Sequence, residues 1–248
     1  MNKKQGGIIV IDGPDGTGKA TTAKLVLELC QTRKPLGKVD FLSESFPNYA
    51  DFFGRQIRAY LDGDQANPEL RVPTEIRQDP LLASLPFAAD RYQTYQRVMK
   101  PQLDQGNWYI LDRFISSNMT FQGAKIADPT EKATFQHRLA QLEHGYFNLP
   151  KPELVIILSL SEPIRRRRTE QRLLEHLQQN GELTGKISRH DLHEQNLDYM
   201  AKVALEYTAL AKKFGWQIVN CVEGIRELTP IEVAEKVYQV TLPTLLGN

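Results

Sequence analysis

The chain has 248 residues, 41% of them apolar and 25% charged, with a formal net charge of +1. That length suits one large α/β domain over residues 1–248 with a substantial core. The balanced charge supplies no field for nucleic acid or a membrane surface, so neither is an expected partner. No apolar run approaches transmembrane length. The run behind Met1-Asn2-Lys3-Lys4 stops at Asp12, too short for an export signal. Cys30 and Cys221 have no metal or redox spacing and suit a reducing cytosol, so a cytoplasmic location is expected.

In chain order, the first signal is an apolar strand, Gly7–Asp12, that feeds Gly13-Pro14-Asp15-Gly16-Thr17-Gly18-Lys19-Ala20-Thr21. This is a phosphate-binding loop. Its glycines let backbone N–H groups curl inward to cradle phosphate oxygens, and the helix that follows adds the positive end of its dipole. Lys19 supplies a mobile cation for the outer phosphates. Residues 13–21 are therefore the expected ATP-binding segment. The hydroxyl residue usual after the lysine is replaced by Ala20, with Thr21 next.

Further strands are expected at Val39–Ser43, Trp108–Asp112, Leu154–Leu160 and Trp216–Asn220. Several are apolar at consecutive positions, as in strands covered on both faces of a parallel sheet. Helices are expected at Lys19–Cys30, Asp51–Leu61, Leu81–Gln105, Thr130–Glu143, Asp191–Phe214 and Pro230–Val240. The alternation predicts a doubly wound α/β fold with ligands at the carboxyl ends of the strands. Asn180–Lys186, with Gly181 and Gly185, reads as a mobile excursion.

Several clusters fall at or near such strand ends. Phe87 and Arg91 stand i, i+4 on one helix face. They are either a core ring with a surface arginine or a stacking face beside a donor for a planar base. Asp112-Arg113 closes the third strand. It is either a surface ion pair or a Mg²⁺ ligand beside a phosphate clamp. Ser116–Gly123 either starts a helix or lines a pocket. Arg165–Arg168 and Arg172 form either a solvated basic face or a set of cations for a transferring phosphoryl group. His190 and His193, with Asp191 and Glu194, admit either a metal or a contact at a helix start.

Together these segments resemble the thymidylate kinase family of P-loop nucleoside monophosphate kinases. Gly13–Thr21 is similar to its G-x-D-G-x-G-K-x-T loop, and Phe46-Pro47-Asn48-Tyr49 to its F-P-x-Y. Phe87-Ala88-Ala89-Asp90-Arg91 resembles its F-x-A-x-R, and Asp112-Arg113 through Ser117-Asn118 and Phe121-Gln122-Gly123 its D-R…S-x-x-x-(Y/F)-x-G. The resemblance implies a P-loop fold with a five-stranded parallel sheet, helices on both faces and a mobile lid over about 165–190. It implies transfer of a phosphoryl group from ATP to dTMP with Mg²⁺, and a homodimer.

Roles carried over in the same way place Phe87 on thymine, Arg91 at O4, Asn118 at N3 and Phe121 against C2′, with Gln122 beside it. Phe46, Tyr49 and Arg113 would hold the acceptor phosphate. Asp15 would lie near the sugar 3′-OH or, with Asp112, in the metal shell. Lys19, Arg168, Arg172 and Asp15 would be catalytic, the arginines coming from the lid because Gly16 stands where some members carry an arginine. Arg189 falls where the lid returns, in Ser188-Arg189-His190-Asp191, which departs from the common D-R-x-E. Two other readings are a kinase for another nucleotide or nucleoside, and a non-catalytic nucleotide binder, the latter motivated by Ala20.

Overall fold

The computed structural model describes residues 6–62, 74–168, 171 and 197–247. Five parallel strands form one sheet in the order β2-β3-β1-β4-β5. They are β1 (Ile8–Asp12), β2 (Phe41–Ser45), β3 (Trp108–Asp112), β4 (Leu154–Ser159) and β5 (Gln217–Asn220). β1 is central and buried at every position, as its unbroken apolar run requires. Successive side chains point to opposite faces. Ile8 and Val10 join a core with Tyr109, Leu111, Val155 and Ile157, whereas Ile9 and Ile11 join a second with Ile110, Ile156 and Leu158.

Helices cover both faces. On the Ile9 side lie α1 (Lys19–Arg33) and α10 (Pro230–Leu246), which pack on each other. On the other side lie α6 (Ile115–Gly123), α7 (Pro129–Ala140) and α9 (Leu197–Phe214). Between β2 and β3 come α2 (Phe52–Asp62), α3 (Thr74–Gln78), α4 (Pro80–Thr94) and α5 (Lys100–Leu103). Ile57, Tyr60 and Leu61 of α2 pack on Ala83 and Phe87 of α4 in a third core. A further helical stretch, α8, covers 162–168. Local chemistry sets several starts. Asp79 and Asp128 each accept two backbone N–H bonds ahead of Pro80 and Pro129, and Thr229 with Glu232 closes a capping box ahead of Pro230.

Several boundaries depart from the sequence reading. β2 begins at Phe41 rather than Val39 and extends to Ser45, because β3 offers partners from Trp108 to Asp112 and pairs Ser45 with Asp112. The helix expected over Leu81–Gln105 is interrupted by a π-helical turn at Tyr95–Met99, just before Pro101, which has no N–H for the Arg97 carbonyl. A second π-helical turn, Gln141–Tyr146, prolongs α7. α10 runs through Pro243 to Leu246, where left-handed Gly247 ends it. Leu245, beyond Pro243, is buried in the core. Unanticipated elements are α3 and a hairpin, β6 (Val222–Glu223) with β7 (Arg226–Glu227), turning at Gly224-Ile225. The lid expected over 165–190 lies largely outside the described residues, as do Arg172, Arg189, His190, His193 and the start of the helix expected from Asp191.

Candidate active site

The register of the central strands brings the chemistry to one edge. Ile11 pairs with Asp112 and Asp12 with Ile157, so the loop after β1 emerges between the ends of β3 and β4. Gly13 has φ 142°, and a Cβ there would meet the Leu158 carbonyl oxygen at 2.6 Å. Gly16, at φ 85°, lies against the Arg165 backbone. Only glycine fits that combination of left-handed backbone and close approach. Thr17 Oγ1 donates to the Pro14 carbonyl at 2.8 Å and closes the turn. Lys19 Nζ donates to the Pro14 carbonyl and to Asp15 Oδ1, both at 3.1 Å. Ala20 and Thr21 are exposed and, with Asp15–Lys19, line a cleft that also takes in Asp112, Arg113 and Arg168.

Asp15 lies between two cations, accepting from Lys19 and from Arg113 Nη2. Burial works to raise its carboxyl, but Arg113 and Lys19 prevail and hold it well below the usual carboxylate range. Burial and the neighbouring Arg113 push the Lys19 ammonium down, against the pull of Asp15, Asp12 and Asp112. Arg113 has φ 67°, a left-handed conformation that costs a non-glycine residue about 1–2 kcal/mol. Such strain concentrates at functional sites. Here it accompanies an arginine that reaches Asp15 and packs over the Phe121 ring at 5.4 Å.

Beneath the loop lies a network that the sequence reading missed. Asp12 is fully buried. Its carboxylate accepts from the Gly13 N–H (2.8 Å), Ser116 Oγ (2.6 Å), Ser117 Oγ (2.8 Å) and Tyr207 OH (2.7 Å). Ser117 Oγ also stands 3.4 Å from Arg113 Nη1. Burial, then the Asp12 charge, drive the Tyr207 hydroxyl well above its ordinary value, so it serves as a donor. The network ties β1, α6 and α9 to the loop. In sequence, Asp12 looks only like the end of an apolar strand.

The next cleft is lined by Phe46, Pro47, Tyr49, Leu61, Phe87, Asp90, Arg91, Arg113, Phe114, Ser117, Asn118, Phe121 and Gln122. It brings together every residue that the resemblance assigned to the acceptor side, drawn from the β2 end, α4, the β3 end and α6, with Leu61 of α2 beside them. The helix-or-pocket question over Ser116–Gly123 resolves as both, since α6 presents Ser117, Asn118, Phe121 and Gln122 to the cleft. Arg91 is not a surface residue. It is buried and makes a bidentate pair with Glu143, with both bonds at 2.6 Å. Asn118 Oδ1, Gln122 Oε1 and Asp90 Oδ1 are buried without hydrogen-bond partners. Such orphaned acceptors are costly unless something fills the space beside them.

Asp112 carries a like signal. Its Oδ2 accepts from Ser45 Oγ at 3.1 Å, while its Oδ1 is buried and unpartnered. Burial raises its carboxyl, and Arg113 and Lys19 oppose that shift. A hard oxygen donor at the edge of the loop cleft fits a Mg²⁺ shell. Among the described residues no group of three acidic, histidine or cysteine side chains forms a ready-made metal cage. The remaining ligands would then be phosphate oxygens and water. Arg168 borders the loop cleft, where Glu227 of β7 accepts from its Nε at 3.1 Å and its Nη2 at 2.9 Å.

The model of the family described as "Thymidylate kinase" matches residues 11–229. The chain belongs to the thymidylate kinase family. It is 28% identical to a probable thymidylate kinase of Pyrococcus abyssi over 98% of this chain and 99% of that protein. It is 26% identical to a thymidylate kinase of Prochlorococcus marinus, covering 89% of this chain and 90% of that one. The solved thymidylate kinase structure from Candida albicans superposes with a TM-score of 0.62 at 23% identity, covering 96% and 91% of the two chains. That likeness carries the fold. The P-loop sheet expected from the sequence is the one observed.

Proposed function

We propose that this member of the thymidylate kinase family transfers the γ-phosphoryl group of ATP to dTMP, giving ADP and dTDP. One observation carries the reading. Arg113 borders both clefts, so a triphosphate on the loop and a monophosphate beside Phe121 meet at a single guanidinium. An oxygen of the acceptor phosphate attacks the γ-phosphorus as the bond to the β–γ bridging oxygen breaks. The acceptor is already anionic at neutral pH, so the reaction needs no strong base. Catalysis then rests on in-line positioning and charge neutralisation.

In this reading residues 13–21 hold the triphosphate, Lys19 follows the moving charge, and Arg113 with Phe46 and Tyr49 fixes the acceptor phosphate. Phe87, Arg91 and Asn118 read the base, and Phe121 with Gln122 borders the sugar. Asp15 orients Lys19 and Arg113 and stands beside the sugar or the metal shell. Asp112 would hold Mg²⁺, which when bound supplies positive charge to the phosphate oxygens. Arg168 joins the transferring group once Glu227 releases it, and Arg172 acts with it from the lid. No helix among the described residues is long and apolar enough to cross a membrane. A cytoplasmic, homodimeric enzyme with one kinase domain over 1–248 completes the reading.

A coupled ADP-release assay with dTMP, dUMP, dCMP, dGMP and AMP tests it. dTMP is expected to give the highest kcat/KM. Equal efficiency with dCMP, or ATP binding without turnover on any acceptor, would remove the assignment.

A further inference from the structure

The acceptor cleft is shaped by a residue that does not line it. Glu143 lies in the π-helical turn Gln141–Tyr146, an irregularity of a kind frequent at functional sites. It is fully buried and absent from the cleft wall. Its two oxygens engage Arg91 Nε and Nη2 at 2.6 Å each. The same Oε1 lies 3.5 Å from Asn118 Nδ2, which also donates to the Ser84 carbonyl at 3.1 Å. Both neighbours of Nδ2 are acceptors, so the reverse amide orientation would set oxygen against oxygen. Asn118 Oδ1 is thereby turned away from both and left without a partner. On Arg91 the nitrogen that Glu143 leaves is Nη1, whose contact is the Phe114 carbonyl at 3.5 Å.

We infer, resting on the acceptor reading above, that Glu143 is a positioning residue for base discrimination. It fixes a donor on Arg91 beside an acceptor on Asn118. That pair complements the imide edge of a pyrimidine, a carbonyl oxygen next to a ring N–H. Cytosine reverses both, with an exocyclic amine next to an unprotonated ring nitrogen, and meets donor with donor and acceptor with acceptor. Glu143 also neutralises Arg91, so the cleft can take a neutral base without an unpaired buried cation. A Gln in place of Glu143 has one oxygen and one N–H₂. Both carboxylate oxygens pair with Arg91, so in either orientation that N–H₂ opposes Nε or Nη2, the bidentate pair is lost, and the Arg91 donor is no longer fixed against the base edge.

The test measures kcat and KM for dTMP and dCMP in the wild-type chain, Glu143→Gln and Glu143→Asp, with KM for ATP and thermal unfolding as controls. Glu143→Gln is expected to lower the dTMP:dCMP ratio of kcat/KM by on the order of tenfold or more, the scale of one mispaired polar contact. The change should sit mainly in KM for the nucleotide acceptors, with KM for ATP unmoved. Glu143→Asp keeps the charge and so protects the fold, but its shorter side chain cannot span Arg91 and Asn118 together. It should lower the ratio by a smaller factor, and it decides the matter if Glu143→Gln does not fold. A ratio unchanged in the folded variants, or kcat lowered alike on both acceptors with the ratio intact, overturns the inference and leaves Glu143 a structural counterion. The wild-type chain separates the two proposals. If it favours dTMP over dCMP and the variants do so by the same ratio, only the role of Glu143 fails; if it shows no preference, the acceptor assignment itself fails.

Discussion

The two clefts that meet at Arg113 are built by different means. The loop cleft takes most of its wall from consecutive residues, Asp15–Thr22, whose backbone follows from glycines and the start of α1. The acceptor cleft takes its wall from the β2 end, α2, α4, the β3 end and α6, segments that meet only after the sheet has formed. In the proposed reading one binds anions through backbone and a flexible lysine, and the other reads shape and hydrogen-bond pattern through buried side chains. A local motif suffices to hold phosphate, because phosphate presents the same oxygens on every side. Reading one base edge requires donors and acceptors fixed from several directions.

Breaking the loop cleft should have the largest effect. Lys19→Ala removes the cation that bridges Pro14 and Asp15, and turnover should fall by on the order of a hundredfold or more with the far-ultraviolet spectrum unchanged. Near-normal turnover in the folded variant would put the phosphate chemistry elsewhere. Arg168→Ala should lower kcat by roughly tenfold to a hundredfold while KM for dTMP stays within a fewfold, since its contact strengthens mainly in the transition state. A rise in KM for dTMP alone would move Arg168 from the donor to the acceptor cleft.

The acceptor cleft is sharpened by small changes in ligand. dUMP lacks one methyl of dTMP and should be about 10–200-fold less efficient, because a buried methyl contributes about 1–3 kcal/mol. Equal kcat/KM for the two would mean that the 5-position stays in water.

Asp15 joins the clefts, and its test is stability against pH. Its carboxyl titrates below its ordinary value of 3.8 when folded, so its stabilising contribution is complete above that value. The contribution is lost as pH falls below 3.8 toward the folded value. Asp15→Asn should therefore flatten the loss of stability over this acid range in urea melts taken at successive pH. A variant as steeply acid-sensitive as wild type there would mean that other carboxylates carry the effect. The smallest change is expected from Ala20→Ser. Position 20 is exposed in the loop cleft, and a hydroxyl there adds one potential Mg²⁺ ligand. kcat should stay within a fewfold and half-maximal activity should come at lower Mg²⁺. A variant that switches on an otherwise inactive chain would instead favour a non-catalytic nucleotide binder.

What the sequence determined by itself was what short-range chemistry controls. The run Ile8–Asp12 reads as a strand covered on both faces and is one, and the glycines after it make the tight turn into α1 that their spacing predicts. Asp79-Pro80, Asp128-Pro129 and Thr229-Pro230 set helix starts within a residue or two. The motif resemblance named the acceptor residues, but spacing alone left Arg91 undecided between surface and site. The tertiary structure settled its burial, because the decisive partner, Glu143, lies 52 positions away on another helix. The same holds for Asp12, whose donors Ser116, Ser117 and Tyr207 come from α6 and α9, and for Glu227, whose unanticipated hairpin pairs with Arg168. A buried charge or an orphaned amide oxygen has no signature in its neighbours along the chain. Its meaning depends on which distant group is desolvated beside it, and only the folded sheet brings those groups within hydrogen-bond reach.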